Sequence, residues 1–238
     1  MVENSTSLGT LPCGHGIALP IFIRLDVSVS VYKCQLSRYE SRTIDFAPRL
    51  TGFKMPRIRS LKPNVTREEA MEQFSPGGLA DSARGFIFGP LRSVADVYIP
   101  FRLFQVEIVN GGKREQQFLG LEAIAGILDL YHFEHVPLAS DVIVLDSRNC
   151  PPARLDDTQA TELLIAKFRR VLFSRGFFRL RALQLAAEPL PGEIHVPYWV
   201  GFRGHGSSAR LEVIDAVRRR FEGAKVRRLL TDWLASIN

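Results

Sequence analysis

The chain has 238 residues, 46% hydrophobic and 24% charged, a balance that excludes wholesale disorder and collagen-like architecture. No stretch reaches the roughly 18 to 20 uninterrupted apolar residues of a membrane helix, since the best candidate, Ile17 to Tyr32, contains Arg24 and Asp26. Three cysteines cannot build a disulfide framework, so a reducing, cytoplasmic setting is expected. The net charge of +6 is unevenly spread: residues 167–238 hold fourteen Lys and Arg against six Asp and Glu, and residues 1–166 hold seventeen against nineteen. A basic half suits nucleic acid, anionic lipid or an acidic partner. Most of the basic residues are arginine, whose planar fork fits phosphate and carboxylate, although a coding bias produces the same ratio without any ligand.

Residues 1–54 read as an N-terminal extension without sustained helical period. Its one alternating run is Asp26-Val27-Ser28-Val29-Ser30-Val31-Tyr32, a strand pattern. No basic segment precedes the apolar stretch, and Pro20 interrupts it, so it is not a signal peptide. Residues 55–150 form a first α+β module and residues 151–238 a second.

In the first module Thr66 is an N-cap, with Glu68 and Glu69 in the first turn of a helix running to Phe74. The next pattern is Val97-Tyr98-Ile99-Pro100-Phe101-Arg102-Leu103-Phe104, a turn, then Phe118-Leu119-Gly120-Leu121-Glu122-Ala123-Ile124. Phe104, Val106 and Ile108 alternate onto one buried face, and Asn110-Gly111 reads as a two-residue hairpin turn. Proline cannot donate to a sheet ladder, so the strand is expected to begin or kink at Pro100.

In the second module Asp157 to Arg175 is an amphipathic helix, acidic at its start and basic toward its end. Phe178 to Ala182 alternates like a strand. Then comes Ile194-His195-Val196-Pro197-Tyr198-Trp199-Val200-Gly201, a glycine-rich turn, and Leu211-Glu212-Val213-Ile214-Asp215-Ala216-Val217. This repeats the aliphatic-Pro-aromatic core and the acid-Ala ending of the first module. Pro100 to Ala123 is 23 positions and Pro197 to Ala216 is 19, and the difference falls in the turn. A final helix carries Val226, Leu229, Leu230, Trp233 and Ile237 on one stripe. The fold class is therefore α+β: two related helix-plus-antiparallel-hairpin modules, forming two half-sheets or one combined sheet.

Candidate chemistry is sparse. His132 and His135 stand three apart beside Asp129, a spacing that ligates metal on a helix, but Pro137 follows and a loop is the better reading. Cys13 with His15 and the distant Cys34 form a weaker set still. Cys150 would need a histidine base delivered by the fold. The Gly204-His205-Gly206-Ser207-Ser208 segment lacks the Lys and the following helix of a phosphate-binding loop. Tyr98, Phe101, Tyr198 and Trp199 suit core packing or base stacking. Arg218, Arg219, Arg220, Arg227 and Arg228 are the candidate phosphate contacts, with a solvated helix face as the plainer reading.

The run Leu121-Glu122-Ala123-Ile124-Ala125-Gly126-Ile127-Leu128, following helix, strand and hairpin turn, resembles a PepSY-type module over about residues 66–130. Glu122 stands where that family typically has Asp, and Asp215-Ala216-Val217-Arg218-Arg219 lacks the glycine. The resemblance implies a binding or inhibitory role, usually at the cell envelope, and carries over no catalytic residue. The leading expectation is a non-enzymatic, cytoplasmic protein of bacterial type that binds a ligand, a protein partner or a second copy of itself, without a cofactor. Nucleic-acid binding through the arginines is the first alternative, and a metal-dependent enzyme at His132 and His135 the second.

Met55 followed by Pro56-Arg57-Ile58-Arg59 gives two readings: Met55 as the natural start, with the upstream residues arising from an over-extended reading frame, or residues 1–54 as a genuine, poorly ordered extension. Mass spectrometry of the native protein decides between them, the first reading expecting an N-terminus at Met55. Abundant peptides from residues 1–40 overturn this.

Overall fold

The computed structural model describes residues 55–176, 183–204 and 209–237. In chain order the elements are strand β1 (Arg57–Leu61), helices α1 (Arg67–Phe74) and α2 (Gly78–Phe88), and strands β2 (Leu91–Asn110), β3 (Lys113–Glu122) and β4 (Tyr131–Phe133). A 3-10 turn (Ala139–Asp141), β5 (Val142–Asp146), α3 (Asp157–Gly176), β6 (Gln184–Arg203), β7 (Arg210–Asp215), β8 (Arg220–Phe221) and α4 (Ala224–Ser236) follow. Among the described residues this is one curled eight-stranded sheet with four helices, in the α+β class. The combined sheet, not two half-sheets, is what forms. The strand order is β4-β3-β2-β6-β1-β5, with β7 and β8 joined on at β6. No described helix is long and apolar enough to cross a membrane. The extension 1–54, the strand expected at Phe178 to Ala182, and residues 205–208 of the second turn lie outside the described residues.

The centre of the sheet is the antiparallel pairing of β2 with β6. Ile99 lies opposite Val196, Val97 opposite Tyr198, and Phe101 opposite Ile194, so the two strands are related by an approximate dyad through the Ile99–Val196 pair. The flanking hairpins obey the same relation, with Phe101 facing Glu122 in β3 and Tyr198 facing Asp215 in β7. The Ala123 N–H donates to the Pro100 carbonyl at 2.9 Å, and the Ala216 N–H donates to the Pro197 carbonyl at 3.0 Å. The Ala123 carbonyl accepts from Arg154 and Leu155, and the Ala216 carbonyl from Asn64 and Val65. Those two segments lead directly into α3 and α1. Each helix opens with reciprocal side-chain caps, Asp156 with Gln159 and Thr66 with Glu69.

Both prolines sit inside continuous strands, contrary to the expectation that the strands begin there, and the β2–β6 register shifts just after Pro100, between Arg102 and Phe104. The reason is the direction of the missing donor. The Tyr98 N–H reaches the Asn149 carbonyl and the Pro100 carbonyl accepts from Ala123, both away from β6. Period two turns the Pro100 nitrogen to that same edge, where β3 has ended and residues 147–149 take over. No ladder bond is lost. Three further expectations are corrected. The first hairpin pairs Asn110 with Lys113, so its turn is Gly111-Gly112, whose φ values of 58° and 82° meet the demand of a tight hairpin for two left-handed residues. Ile237 is 61% exposed beyond the end of α4, while Val226, Leu229 and Leu230 of its stripe are buried and Trp233 packs partly against the same core. His132 lies on the short strand β4 and not in the expected loop, with His135 just beyond that strand.

Alternation distributes the core. Val97, Ile99 and Phe101 of β2, with Ile194, Val196, Tyr198 and Val200 of β6, pack with Val226, Leu229 and Leu230 of α4. On the other face Phe104, Val106 and Ile108, buried as their spacing requires, lie with Ala160, Leu164 and Phe168 of α3. Ala70 and Phe74 of α1 pack there with Ile214 and Ala216. Helices α1 and α3 thus share one face of the sheet, and α4 covers the other.

After each acid-Ala pair the chain makes a turn containing one left-handed residue. In the first turn it is Gly126 (φ 63°), and in the second it is Arg219 (φ 57°). A non-glycine residue there costs about 1–2 kcal/mol, partly offset by the roughly 0.5–1 kcal/mol of chain entropy that glycine loses on folding. Arg219→Gly is therefore expected to raise unfolding free energy by about 0.5–1 kcal/mol, the exposed Arg219–Glu69 pair contributing little. Gly126→Ala should lower it, because a Cβ would meet Leu163 at 3.1 Å and Leu155 at 3.4 Å. Urea denaturation of both variants checks the pair of signs.

Candidate functional site

A cavity of about 360 Å³ opens on the α4 side of the sheet, between the turn after β7, the first turn of α4 and residues 128–131. Its inner surface is aromatic: Phe101, Tyr131 and Tyr198 are 1%, 5% and 3% exposed. Arg218, Arg220 and Glu222 line it from the β7 side, and Asp129 and Lys225 stand at the rim. Each element supplies its residue for a local reason. Phe101 and Tyr198 are the residues that follow the two prolines, turned inward by strand alternation. Tyr131 starts β4 opposite Gly120, packing edge-on to Phe101 at 5.6 Å and against Phe133 at 5.0 Å between ring centres.

The polar groups divide into committed and uncommitted. Lys225 Nζ donates to Asp129 Oδ1 at 2.5 Å, and Arg220 Nε to Glu222 Oε1 at 3.0 Å. The Arg218 guanidinium lies over the Tyr131 ring, 3.3 Å from its centre, and has no carboxylate partner among the described residues. The Tyr131 hydroxyl and Asp215 Oδ2 are buried and without hydrogen-bond partners. They lie close enough for the Asp215 carboxylate to act on the hydroxyl. Asp215 Oδ1 is used, accepting the Val217 and Arg218 N–H groups at 2.8 Å each. Burial, with Asp215 adding to it, raises the pKa of Tyr131 and of Tyr198, and burial raises that of Asp215 itself. At neutral pH both phenols are hydrogen-bond donors, not bases.

Helix α4 adds open donors. Its N-cap is Gly223, which has no side chain to accept from the first turn, and no acidic residue occupies that turn. Gly223, Ala224, Lys225 and Val226 line the cavity, so the positive end of the helix borders it.

The residues singled out in the sequence lie mostly elsewhere. His132 is exposed on β4, and His135 Nε2 sits 3.4 Å from Asp141 Oδ2. Asp129 reaches Lys225 instead, and no group of three or more metal-ligating side chains forms among the described residues. A spacing of three joins side chains on a helix but not along a strand and its exit. Arg218, Arg219 and Arg220 occupy the turn after β7 and the start of β8, not a helix face. Arg219 pairs with Glu69, and Arg228 of α4 lies 3.7 Å from Asp232, while Arg227 is exposed. The Cys150 thiol is half-buried and pushed up to about 11, by burial first and by Glu193 second, which leaves it a resting thiol at neutral pH. Trp199 donates its indole N–H to the Val65 carbonyl at 2.9 Å. Sequence reading missed Tyr131 and the free oxygen of Asp215. The acid-Ala repeat marked Asp215, but nothing local marks Tyr131.

Comparison with protein-family models, with curated proteins and with solved structures returned no match to this chain.

A buried hydroxyl without a partner costs about 1–3 kcal/mol. Tyr131→Phe, which keeps the ring under Arg218, is expected to raise unfolding free energy by about 1 kcal/mol. Denaturant titration at neutral pH measures it. A clear loss of stability would mean that the hydroxyl belongs to the fold and not to a site.

Proposed function

We propose that the chain is a non-enzymatic binding protein built from a duplicated α+β module, and that it holds a small ligand in the cavity beside α4. The observation that carries the binding reading is the Tyr131 hydroxyl: buried, unpartnered and belonging to a side chain that lines the cavity. Native interiors rarely leave such a group unsatisfied unless it has a role. The volume is at the lower end of the range of small-molecule sites, about 300–1,000 Å³. Binding is favoured over chemistry by the state of the polar groups. The phenols stay protonated, and Glu222 and Asp129 are held by Arg220 and Lys225.

The dyad-related hydrogen bonds support the duplication. Matching capping boxes, matching Pro-to-Ala bonds and matching acid-capped turns are more than two apolar strands share by composition. Descent from PepSY-type modules would agree with this arrangement and with a binding role, and the left-handed position of Gly126 gives that motif's glycine a physical use.

A two-dimensional amide NMR titration with a fragment panel of neutral and charged aromatic compounds tests the reading. Binding is expected to shift resonances of residues 128–131 and 218–226. Fragments that all map elsewhere, or none that bind, would remove it.

A further inference from the structure

Resting on the binding reading, we infer that the ligand carries an oxyanion, phosphate or carboxylate, docked against Arg218 and the open first turn of α4, with an apolar body against Phe101 and Tyr198. Three independent features meet at this place. The Arg218 guanidinium lies over the Tyr131 ring and makes no side-chain ion pair among the described residues, and its planar fork suits planar or tetrahedral oxyanions. The N–H groups at the start of α4 border the same cavity, uncapped by any side chain, and a helix N-terminus favours negative charge. The third is the partnerless phenol of Tyr131, 5% exposed, which stays protonated and so has a hydrogen to give.

The rest of the lining sets the sign. Asp129 and Glu222 are paired with Lys225 and Arg220, and Arg218 is the lining cation without an ion-pair partner among the described residues, with the buried Asp215 carboxylate acting on it. A cationic ligand would meet that guanidinium and the helix dipole together. A purely apolar one would leave the phenol, the fork and the amides without partners.

The test uses the full chain and three probes of one shape: phenyl phosphate, benzoate and neutral benzamide, titrated by calorimetry at low and moderate salt. At least one anion is expected to bind ten-fold or more tightly than benzamide, with an affinity that weakens as salt rises. The preferred anion identifies the head group. Arg218→Gln should reduce the preference to within about three-fold while benzamide binding is unchanged, and Arg218→Lys should restore part of it. Gly223→Asp is the second variant. Its backbone is already extended and a Cβ there meets nothing within 4 Å, so the new carboxylate should cap α4, raise the thermal midpoint and abolish anion binding together. If benzamide binds as tightly as the anions, or if both variants keep the preference, the oxyanion assignment is wrong and the cavity remains a binding site. If no probe of either kind binds, the binding reading falls, and this inference with it.

Discussion

The structure depends on where two prolines direct their missing donors. β2 and β6 are each 20 residues long and bond to each other along most of that length, so each is internal to the sheet. A proline is expected only where its nitrogen faces no acceptor. Pro100 and Pro197 meet that condition because the outer partner changes beside each of them. β3 ends at Glu122, and the chain returns at Asn149 to bond Tyr98. β7 ends at Asp215, and β1 touches His195. The prolines thus fix where both hairpins stop, and with that the two turns and the entry points of α1 and α3.

The turns that follow are built alike and used differently. Glu122 spends both oxygens on the turn, accepting the N–H groups of Ile124 and Ala125 at 2.6 Å and of Ile127 at 2.8 Å. Asp215 is one methylene shorter and caps only Val217 and Arg218, leaving Oδ2 without a partner. Where the first turn has Ala125 and Gly126, the second has Arg218 and Arg219. The first arrangement closes a turn under Leu163 and Leu155. The second keeps a strained left-handed arginine and a guanidinium over an aromatic ring, at the edge of the cavity. The features that cost stability in the second half are gathered around the proposed site, as expected when a fold is loosened to receive a ligand.

The charge excess of the C-terminal half also has a local account. Arg219, Arg220, Lys225 and Arg228 each face a carboxylate. Arg203 is 1% exposed, held by Glu212 at 2.8 Å and by the carbonyls of Gly89 and Phe74. A buried arginine of this kind joins the end of α1 to the β6–β7 hairpin. Arg218 lies over the Tyr131 ring instead.

By itself the sequence determined what depends on neighbours along the chain. Period-two alternation buried Phe104, Val106 and Ile108, the Thr66 and Glu69 pair set the start of α1, and the repeated Pro-aromatic and acid-Ala pairs marked equivalent places in the two hairpins. Local signals also failed by small steps: Asn110-Gly111 was displaced one residue by the Gly111-Gly112 turn, and β1, β5 and α2 carried no pattern strong enough to read. Only the tertiary structure decided that both prolines lie inside strands, since the edge a nitrogen faces depends on a partner some fifty residues away. It likewise decided the site. Tyr131 follows the first hairpin, Arg218 follows the second, and α4 comes after both; sheet pairing, not spacing, brings them to one cavity.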